Sequence, residues 1–415
     1  MQPIGDEAQL GRIQAAAERT AAQELGNVGL PIVDGSRSFP RGRMPAARDR
    51  VKSKRLPPVS RSPIIALMSD AAKPAYDALL IVSFGGPERR EDVLPFLENV
   101  LRGKLVPRAR MLEVAEHYYH FGGKSPINDQ NRALIEALRT KLVAEGPELP
   151  IYFGNRNWHP LLPETLAKMA DDGVHRALAF FTSAFSSYSG CRQYRENVAD
   201  AQREVGARAP HIDKLRGFFN HPGFLAAVSD RVGEAIDRVP AAHRPTTRLI
   251  YTAHSISRTM ADNCRYEAQL AEACRLVSLS LGRDDWRLAY QSRSGPPSQP
   301  WLGPDIGDEL RRAADEGIRA VVVEPIGFLS DHLEVAYDLD TEAQALAGEL
   351  GLHMVRAATV GTHPRFVAMI RELVLERLTS GSTRQTLGRL PPCADVCPAD
   401  CCLPPTRPME GQRPT

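Results

Sequence analysis

The sequence predicts an α/β protein with two lobes, each built on a parallel sheet that is flanked by helices. Short apolar runs rich in β-branched residues alternate with longer segments of helical period. Continuous apolar strands separated by helices are typical of parallel sheets covered on both faces. These units are too many for one mononucleotide-type sheet, and a polar, proline-containing stretch near 240–247 divides them into two groups.

The elements follow one another in a strand–helix order from residue 76 onward. The predicted strands lie at 78–84, 151–154, 177–185, 249–253, 287–290, 320–326 and 353–356. The predicted helices lie near 90–101, 109–120, 128–145, 162–172, 191–205, 222–238, 260–281, 305–316, 331–350 and 363–379. In such folds ligands bind beyond the carboxyl ends of the strands, so the functional residues are expected there.

Four segments differ in composition. Residues 1–75 are predicted to be a disordered basic leader, 76–245 and 246–380 to be the two lobes, and 381–415 to be a proline-rich tail with a cysteine cluster. The formal net charge of the 415 residues is +2, but residues 36–62 carry a net charge of +8, so the rest sums to −6. A nucleic-acid or membrane-surface arm is the alternative interpretation of the leader.

The composition also limits the class of protein. The near-neutral net charge argues against a dedicated nucleic-acid coat, and no apolar stretch approaches the length of a transmembrane helix. The amino terminus lacks a signal-peptide core, and seven cysteines in 415 residues do not form a secreted disulfide scaffold. We therefore expect a soluble, cytoplasmic protein.

Ser83 and Phe84 close the first predicted strand and precede a Gly-Gly pair. Glycine permits positive φ and lets the backbone approach a ligand closely. A phosphate loop is not indicated, because neither G-x-G-x-x-G nor G-K-[ST] is present. A tight turn without a ligand stays open as the alternative.

His254 lies where a strand of the second lobe runs into a loop. An imidazole in this position can accept a proton or bind a metal ion, and a structural hydrogen bond is the alternative. Further along, Ser330 can cap a helix on which Asp331, Glu334 and Asp338 would share one face. Three such carboxylates suit the passage of a hard cation or of protons, and Glu334 would face His254; a solvated acidic face is the alternative.

Two other strand ends carry aromatic and cationic side chains. One is the segment 154–159 and the other is 290–301, which contains Ser292 and Trp301. Arginine is a natural partner of ligand carboxylates, and aromatic faces suit a flat apolar ligand. Ordinary turn structure would also account for each segment.

Four thiols, those of Cys393, Cys397, Cys401 and Cys402, fall within ten residues of the tail. Soft thiolates select zinc or iron–sulfur clusters. The spacing lacks paired C-x2-C knuckles, which argues against a standard zinc ribbon, and unmetallated thiols remain the alternative.

Taken together, these segments resemble the ferrochelatases, which insert ferrous iron into porphyrins. The resemblance extends from residue 76 to about residue 378 and includes 83–88, 120–127, 154–158, 252–255, 290–296 and 326–334. It implies two Rossmann-like lobes with a porphyrin cleft between them, the chelatase fold. It also implies that Fe²⁺ replaces two pyrrole protons in the synthesis of haem b.

The resemblance assigns roles to individual residues. It implies that His254 and Glu334 face the macrocycle and the iron, and that Asp331 and Asp338 extend an acidic track. The residues it implies for substrate binding are Ser83, Phe84, Arg102, Ser125, Ser292 and Trp301.

Actinobacterial-type members resemble this chain most, which favours coproporphyrin III as substrate and leaves protoporphyrin IX open. Some of them hold a 2Fe-2S cluster on one internal cysteine and three near the carboxyl terminus. The matching ligands here are Cys191, Cys393, Cys397 and Cys401, with Cys402 as an alternative to Cys401.

Two other functions stay open at this point: a cobalt chelatase of the same fold, and a non-catalytic haem or metal carrier. We expect a porphyrin as partner and no nucleic acid. Peripheral contact with a membrane and the oligomeric state are left open.

Overall fold

The computed structural model describes residues 76–104, 106–295 and 298–405. The predicted leader at 1–75 and the last ten residues of the tail lie outside the described residues. Within them, the chain forms two four-stranded sheets with orders β2-β1-β3-β4 and β6-β5-β7-β8. All neighbouring strands pair in parallel. The prediction of a two-lobed parallel α/β fold is confirmed.

The strands are β1 (Ala78–Ser83), β2 (Ile151–Asn155), β3 (Arg176–Phe181), β4 (His211–Lys214), β5 (Arg248–His254), β6 (Trp286–Gln291), β7 (Ala320–Glu324) and β8 (His353–Arg356). The α-helices are α1 (Val93–Leu101), α2 (Arg108–His120), α3 (Ile127–Glu145), α4 (Leu162–Asp171), α5 (Gln193–Val205), α6 (Pro222–Arg238), α7 (Arg258–Ala261), α8 (Tyr266–Ser280), α9 (Ile306–Asp315), α10 (Leu333–Tyr337), α11 (Gln344–Glu349) and α12 (Pro364–Leu378). Two π-helical turns, Tyr188–Arg192 and Asp338–Ala343, precede α5 and α11.

The structure differs from the predicted elements at three places. β4 was not predicted, because its sequence His-Ile-Asp-Lys is polar and only partly buried. The predicted helix 260–281 is two helices, α7 and α8. The predicted helix 331–350 is broken into α10, a π-helical turn and α11.

The two sheets share one apolar core. It joins Leu79 and Phe180 of the first sheet to Leu249 and Val322 of the second through buried side chains of α6, α8 and α12. Because parallel strands end at a common edge, this core fixes the carboxyl edge of one sheet relative to that of the other.

The tail beyond α12 has no helix or strand in its described part, yet it lies against the body of the protein. The guanidinium of Arg216, whose side chain is 1% exposed, donates two hydrogen bonds to Glu376 and one to the carbonyl of Gln385. Asn220 donates to the carbonyl of Leu390. The start of the tail is thus held by buried polar side chains of the body.

Removing Glu376 is expected to destabilise the protein strongly. Glu376→Ala leaves the buried charge of Arg216 without its partner, a loss that costs about 3–5 kcal/mol. Denaturant unfolding of the wild type and the variant measures the difference. Glu234→Ala, which removes an exposed partner of Arg231, is the control and should cost less than about 1 kcal/mol. Equal effects of the two substitutions would contradict this account.

Candidate active site

His254 and Glu334 meet across the cleft edge of the second lobe. His254 is the last residue of β5, and Glu334 lies in the first turn of α10. The imidazole Nε2 is 3.8 Å from a carboxylate oxygen of Glu334, and the two side chains are 32% and 46% exposed. The pair is therefore accessible to a ligand.

The tautomer of His254 follows from the hydrogen bond that its ring nitrogen Nδ1 makes. Nδ1 lies 2.5 Å from the carbonyl oxygen of Ser255, which can only accept a hydrogen bond. Nδ1 therefore carries the proton in the neutral ring, and Nε2 has a free lone pair directed toward Glu334. The hydroxyl of Tyr266 donates to the backbone carbonyl of His254 and holds the end of the strand in place.

Asp338 lies one turn beyond Glu334, at the start of the π-helical turn. Burial raises the pKa of Asp338 to about 7, and the negative charges of Glu334 and Glu342 contribute to the rise. Ser292 donates to its carboxylate, and Gln291 lies 3.5 Å from it while also donating to the carbonyl of Glu334. Asp338 is thus a carboxyl group that changes protonation near neutral pH.

Asp331 does not belong to this group of carboxylates. His332 caps α10 by accepting the N–H of Glu334, so the helix begins after Asp331 and Ser330 is not its cap. The carboxylate of Asp331 is 3.1 Å from the guanidinium of Arg356, and its N–H donates to Gln130. The prediction that Asp331 shares a helix face with Glu334 and Asp338 is wrong.

The other predicted substrate-binding residues differ in accessibility. Ser83 is fully buried, and its hydroxyl accepts a hydrogen bond from Asn131, so the structure does not bring this group to the cleft. Ser125 is 3% exposed and lies against Gly86. Arg102 is exposed at the end of α1 and donates to Asn99.

Phe84 and Ser292 each directly follow the carboxyl end of a strand, and Trp301 lies beside the residues that follow β5. Phe84 packs edge-on against Phe96 in the small cluster formed by α1 and α2. Ser292 has a φ of 58°, an unusual conformation for a residue other than glycine, and it supports Asp338. Trp301 pairs with the backbone at Ser257, just beyond the end of β5.

The sequence did not reveal that α2 lies against α10. The rings of His117 and Tyr337 are stacked with centroids 3.9 Å apart, and they line an open cavity of about 500 Å³. Burial raises the pKa of Tyr118, and the charge of Glu334 adds to the shift. These pairs join residues more than two hundred positions apart, and no local pattern marks them.

The structure brings the tail cysteines to Cys191. Cys191, Cys393 and Cys397 line one cavity of about 30 Å³ beside Lys214. The thiol of Cys191 donates to Cys397, which lowers the pKa of Cys397, and Cys401 also contacts Cys397. A Cβ at Gly217 would lie 2.9 Å from the sulfur of Cys393, so glycine makes room for that thiol.

Cys401 and Cys402 differ in their surroundings. Their sulfurs are 3.4 Å apart, but Cys402 is only 4% exposed, and burial raises its pKa. Within the described ranges, no three or more His, Cys, Asp or Glu side chains are grouped so as to hold a metal ion. The thiols converge, but they are not arranged as a ready-made metal site.

The two-lobed parallel α/β fold carries an accessible histidine–carboxylate pair at the strand ends of its second lobe. A family model described as Ferrochelatase matches residues 76–378. A relative from Rhodopirellula baltica named Ferrochelatase is 58% identical over 344 residues, which cover 82% of this chain and 98% of that protein. The chain belongs to the ferrochelatase family.

Further relatives carry a more specific name. A Coproporphyrin III ferrochelatase from Nocardia farcinica is 50% identical over 356 residues, 82% of this chain and 100% of its own length. Among solved structures, SirB from Bacillus subtilis with Fe³⁺ is similar with a TM-score of 0.48 and 12% identity, covering 72% of this chain and 95% of that one. No helix in the described part of the chain is long and apolar enough to cross a membrane.

The raised pKa of Asp338 predicts a pH-dependent cost to stability. A carboxyl group whose pKa is raised in the folded state, here from 3.8 to about 7, destabilises the fold increasingly as the pH rises through that interval. Asp338→Asn should therefore raise the melting temperature relative to the wild type more at pH 8 than at pH 5. Asp308→Asn, at an exposed pair with Arg311, serves as the control and should show no such difference. A pH-independent effect of Asp338→Asn would refute the interpretation.

Proposed function

We propose that this protein inserts Fe²⁺ into coproporphyrin III in haem synthesis and that two pyrrole protons leave in the reaction. The family and the accessible His254–Glu334 pair support the reaction type. Relatives from Nocardia, Streptomyces and Frankia, 49–51% identical, are named for coproporphyrin III, which supports the substrate. The Rhodopirellula relative is named Ferrochelatase alone, so protoporphyrin IX is the competing substrate.

His254 accepts the pyrrole protons in this proposal. Its Nε2 lone pair is directed into the cleft, because Nδ1–H is bound to the carbonyl of Ser255. When Nε2 takes a proton, the resulting imidazolium lies 3.8 Å from the carboxylate of Glu334, which stabilises the charge. The single observation that carries the proposal is this orientation of the histidine toward an exposed carboxylate.

In this proposal, Asp338 is the next group to accept the proton. With a pKa of about 7 it can both accept and release a proton at neutral pH, and protonation also relieves its repulsion with Glu334. Asp331, bound to Arg356, is not part of this route. Arg102, exposed at the end of α1, binds a substrate propionate in the proposal.

For the tail we propose a 2Fe-2S cluster held by Cys191, Cys393, Cys397 and Cys401. Three of these thiols line one cavity, the fourth contacts Cys397, and glycine at 217 leaves room for Cys393. Cys401 is favoured over Cys402 because Cys401 hydrogen-bonds to Cys397, whereas Cys402 is buried at 4% exposure. A bound cluster supplies redox-sensitive iron–sulfide bonds, with a structural or sensing role, since metal insertion itself transfers no electrons. The cytoplasmic location expected from the sequence stays a prediction.

Replacing His254 is expected to abolish most of the turnover. Anaerobic insertion of Fe²⁺ is measured with coproporphyrin III and protoporphyrin IX side by side, and coproporphyrin III should be the better substrate of the wild type. His254→Ala should reduce turnover at least about 10²-fold, the usual contribution of a general base. His175→Ala, an exposed histidine paired with Asp77, should retain wild-type turnover. Near-normal turnover of the purified His254→Ala protein would rule out this role.

Cys191→Ser is expected to abolish the colour of the protein. Protein purified under air should be reddish-brown because of sulfur-to-iron charge transfer, and the loss of one ligand removes this absorption. Cys274→Ala, a buried core cysteine outside the thiol cavity, is the matched control and should keep the spectrum. A colourless wild-type protein that contains one zinc ion would instead indicate a different metal site.

A further inference from the structure

The helix that carries Glu334 is too short to define its own orientation. α10 contains only the five residues Leu333–Tyr337 and continues into the π-helical turn that begins with Asp338. Isolated helices of this length are not stable in water, so packing against other elements must hold α10 in place. The positions of both carboxylates therefore depend on the contacts that α10 makes.

The second lobe holds α10 through its buried face and its backbone. Val335 is fully buried in the apolar core on one side of the second sheet. Gln291 donates a hydrogen bond to the carbonyl of Glu334, and His332 accepts the N–H of the same residue. The half-buried ring of Tyr337 is not part of that core, so this side of α10 is held by other contacts.

The first lobe contacts the segment before α10 through a hydrogen bond. The side-chain oxygen Oε1 of Gln130 accepts the N–H of Asp331 at 2.7 Å. Gln130 lies in the first turn of α3, and the carboxylate of Asp331 is bound on its other side by Arg356 of the second lobe. The residue that leads into α10 is thus held between the two lobes.

The first lobe also contacts the carboxyl end of α10. The ring of His117, on α2, is stacked on the ring of Tyr337 with centroids 3.9 Å apart and an angle of 11° between the planes. Tyr337 lies about one turn after Glu334 and directly before Asp338. The stack therefore acts on the short stretch of backbone that joins the two carboxylates.

These two contacts bind both ends of α10 to the lobe that does not contain it. Reacting groups must be held closely in place, since a displacement of about 1 Å can cost about 10²-fold in rate. A ligand in the cleft lies between the lobes, whereas the two carboxylates belong to the second lobe alone. Contacts from α2 and α3 can therefore fix the distance between the carboxylates and a ligand that rests against the first lobe.

We propose that His117 and Gln130 are positioning residues, which hold α10 from the first lobe so that Glu334 and Asp338 keep their places opposite the porphyrin. This inference deepens the proposed function and rests on it. Both side chains act through α10 and not on the substrate. Their loss lets α10 shift, so it impairs the handling of iron and protons while the binding of the porphyrin is retained.

Hydrogen exchange measures the hold on α10 directly, in protein without added iron or porphyrin. The backbone amides of residues 333–337 should exchange about 2- to 10-fold faster in His117→Ala and in Gln130→Met, because each variant lacks one contact that resists local opening. His117→Phe keeps a flat ring for the stack and should show wild-type exchange. Glu113→Gln, at an exposed pair with Arg110 about one turn before His117, is the control and should show it too.

Steady-state kinetics separate positioning from a merely structural role. At saturating coproporphyrin III, kcat/KM for Fe²⁺ should fall at least about tenfold in His117→Ala, because the carboxylates are displaced. The Kd for coproporphyrin III, measured by fluorescence titration without metal, should stay at the wild-type value. His117→Phe should restore most of the lost kcat/KM, and circular dichroism checks that each variant is folded.

Wild-type exchange in both His117→Ala and Gln130→Met would overturn the proposal, and so would faster exchange with an unchanged kcat/KM for Fe²⁺. A matching loss of porphyrin affinity would also overturn it, because the residues would then act on substrate binding. A wild-type protein that inserts no Fe²⁺ would overturn the proposed function instead. Faster exchange in the two variants would in that case still support the hold that the first lobe exerts on α10.

Discussion

The apolar core shared by the two sheets is the constraint on which the other features depend. It packs α6, α8 and α12 between the sheets, so neither sheet can shift without opening buried surface that is close-packed on both sides. Each sheet is parallel and presents its strand ends at one edge. The core therefore fixes the edge that carries His254 relative to the carboxyl edge of the first sheet.

The charged side chains of the body and those of the cleft differ in how their charges are compensated. In the body, buried cations have partners: Arg216 binds Glu376, and Arg248, 4% exposed, binds both Asp285 and Glu316. In the cleft, the raised pKa of Asp338 shows that its charged form is disfavoured as the protein stands. Such a group is costly for stability in its charged form, and protonation removes that cost.

The sequence predicted the features that depend on hydrophobic periodicity and on where strands end. It did not predict the features that depend on contacts between residues far apart in the chain. The position of His254 was predictable because it ends a buried strand, and that of Glu334 because it lies in the helix that follows another; their roles stay predictions. Asp331 was misplaced because the start of α10 is set by the His332 cap and because its carboxylate is held by Arg356. The stacking of His117 on Tyr337 is also a tertiary property. It joins residues that are far apart in the chain, so no window of the sequence contains it.

The tail has no hydrophobic periodicity, yet contacts with the body of the protein fix its position. Its backbone is bound by side chains of the body: Glu272 accepts the N–H of Arg389, Lys214 donates to the carbonyl of Ala394, and Arg192 donates to the carbonyl of Cys401. A Cβ at Gly388 would lie 2.2 Å from Glu272, so this close approach needs glycine.

The body, not the tail, therefore determines where the thiols lie. Gln269 of α8 donates both to Ser186 and to the sulfur of Cys393, at 3.1 and 3.6 Å. Ser186 precedes the π-helical turn that contains Cys191, so one side chain of the second lobe orients two thiol-bearing segments that meet at the first lobe. The thiol cavity therefore lies beside a hydrogen-bonded contact between the two lobes.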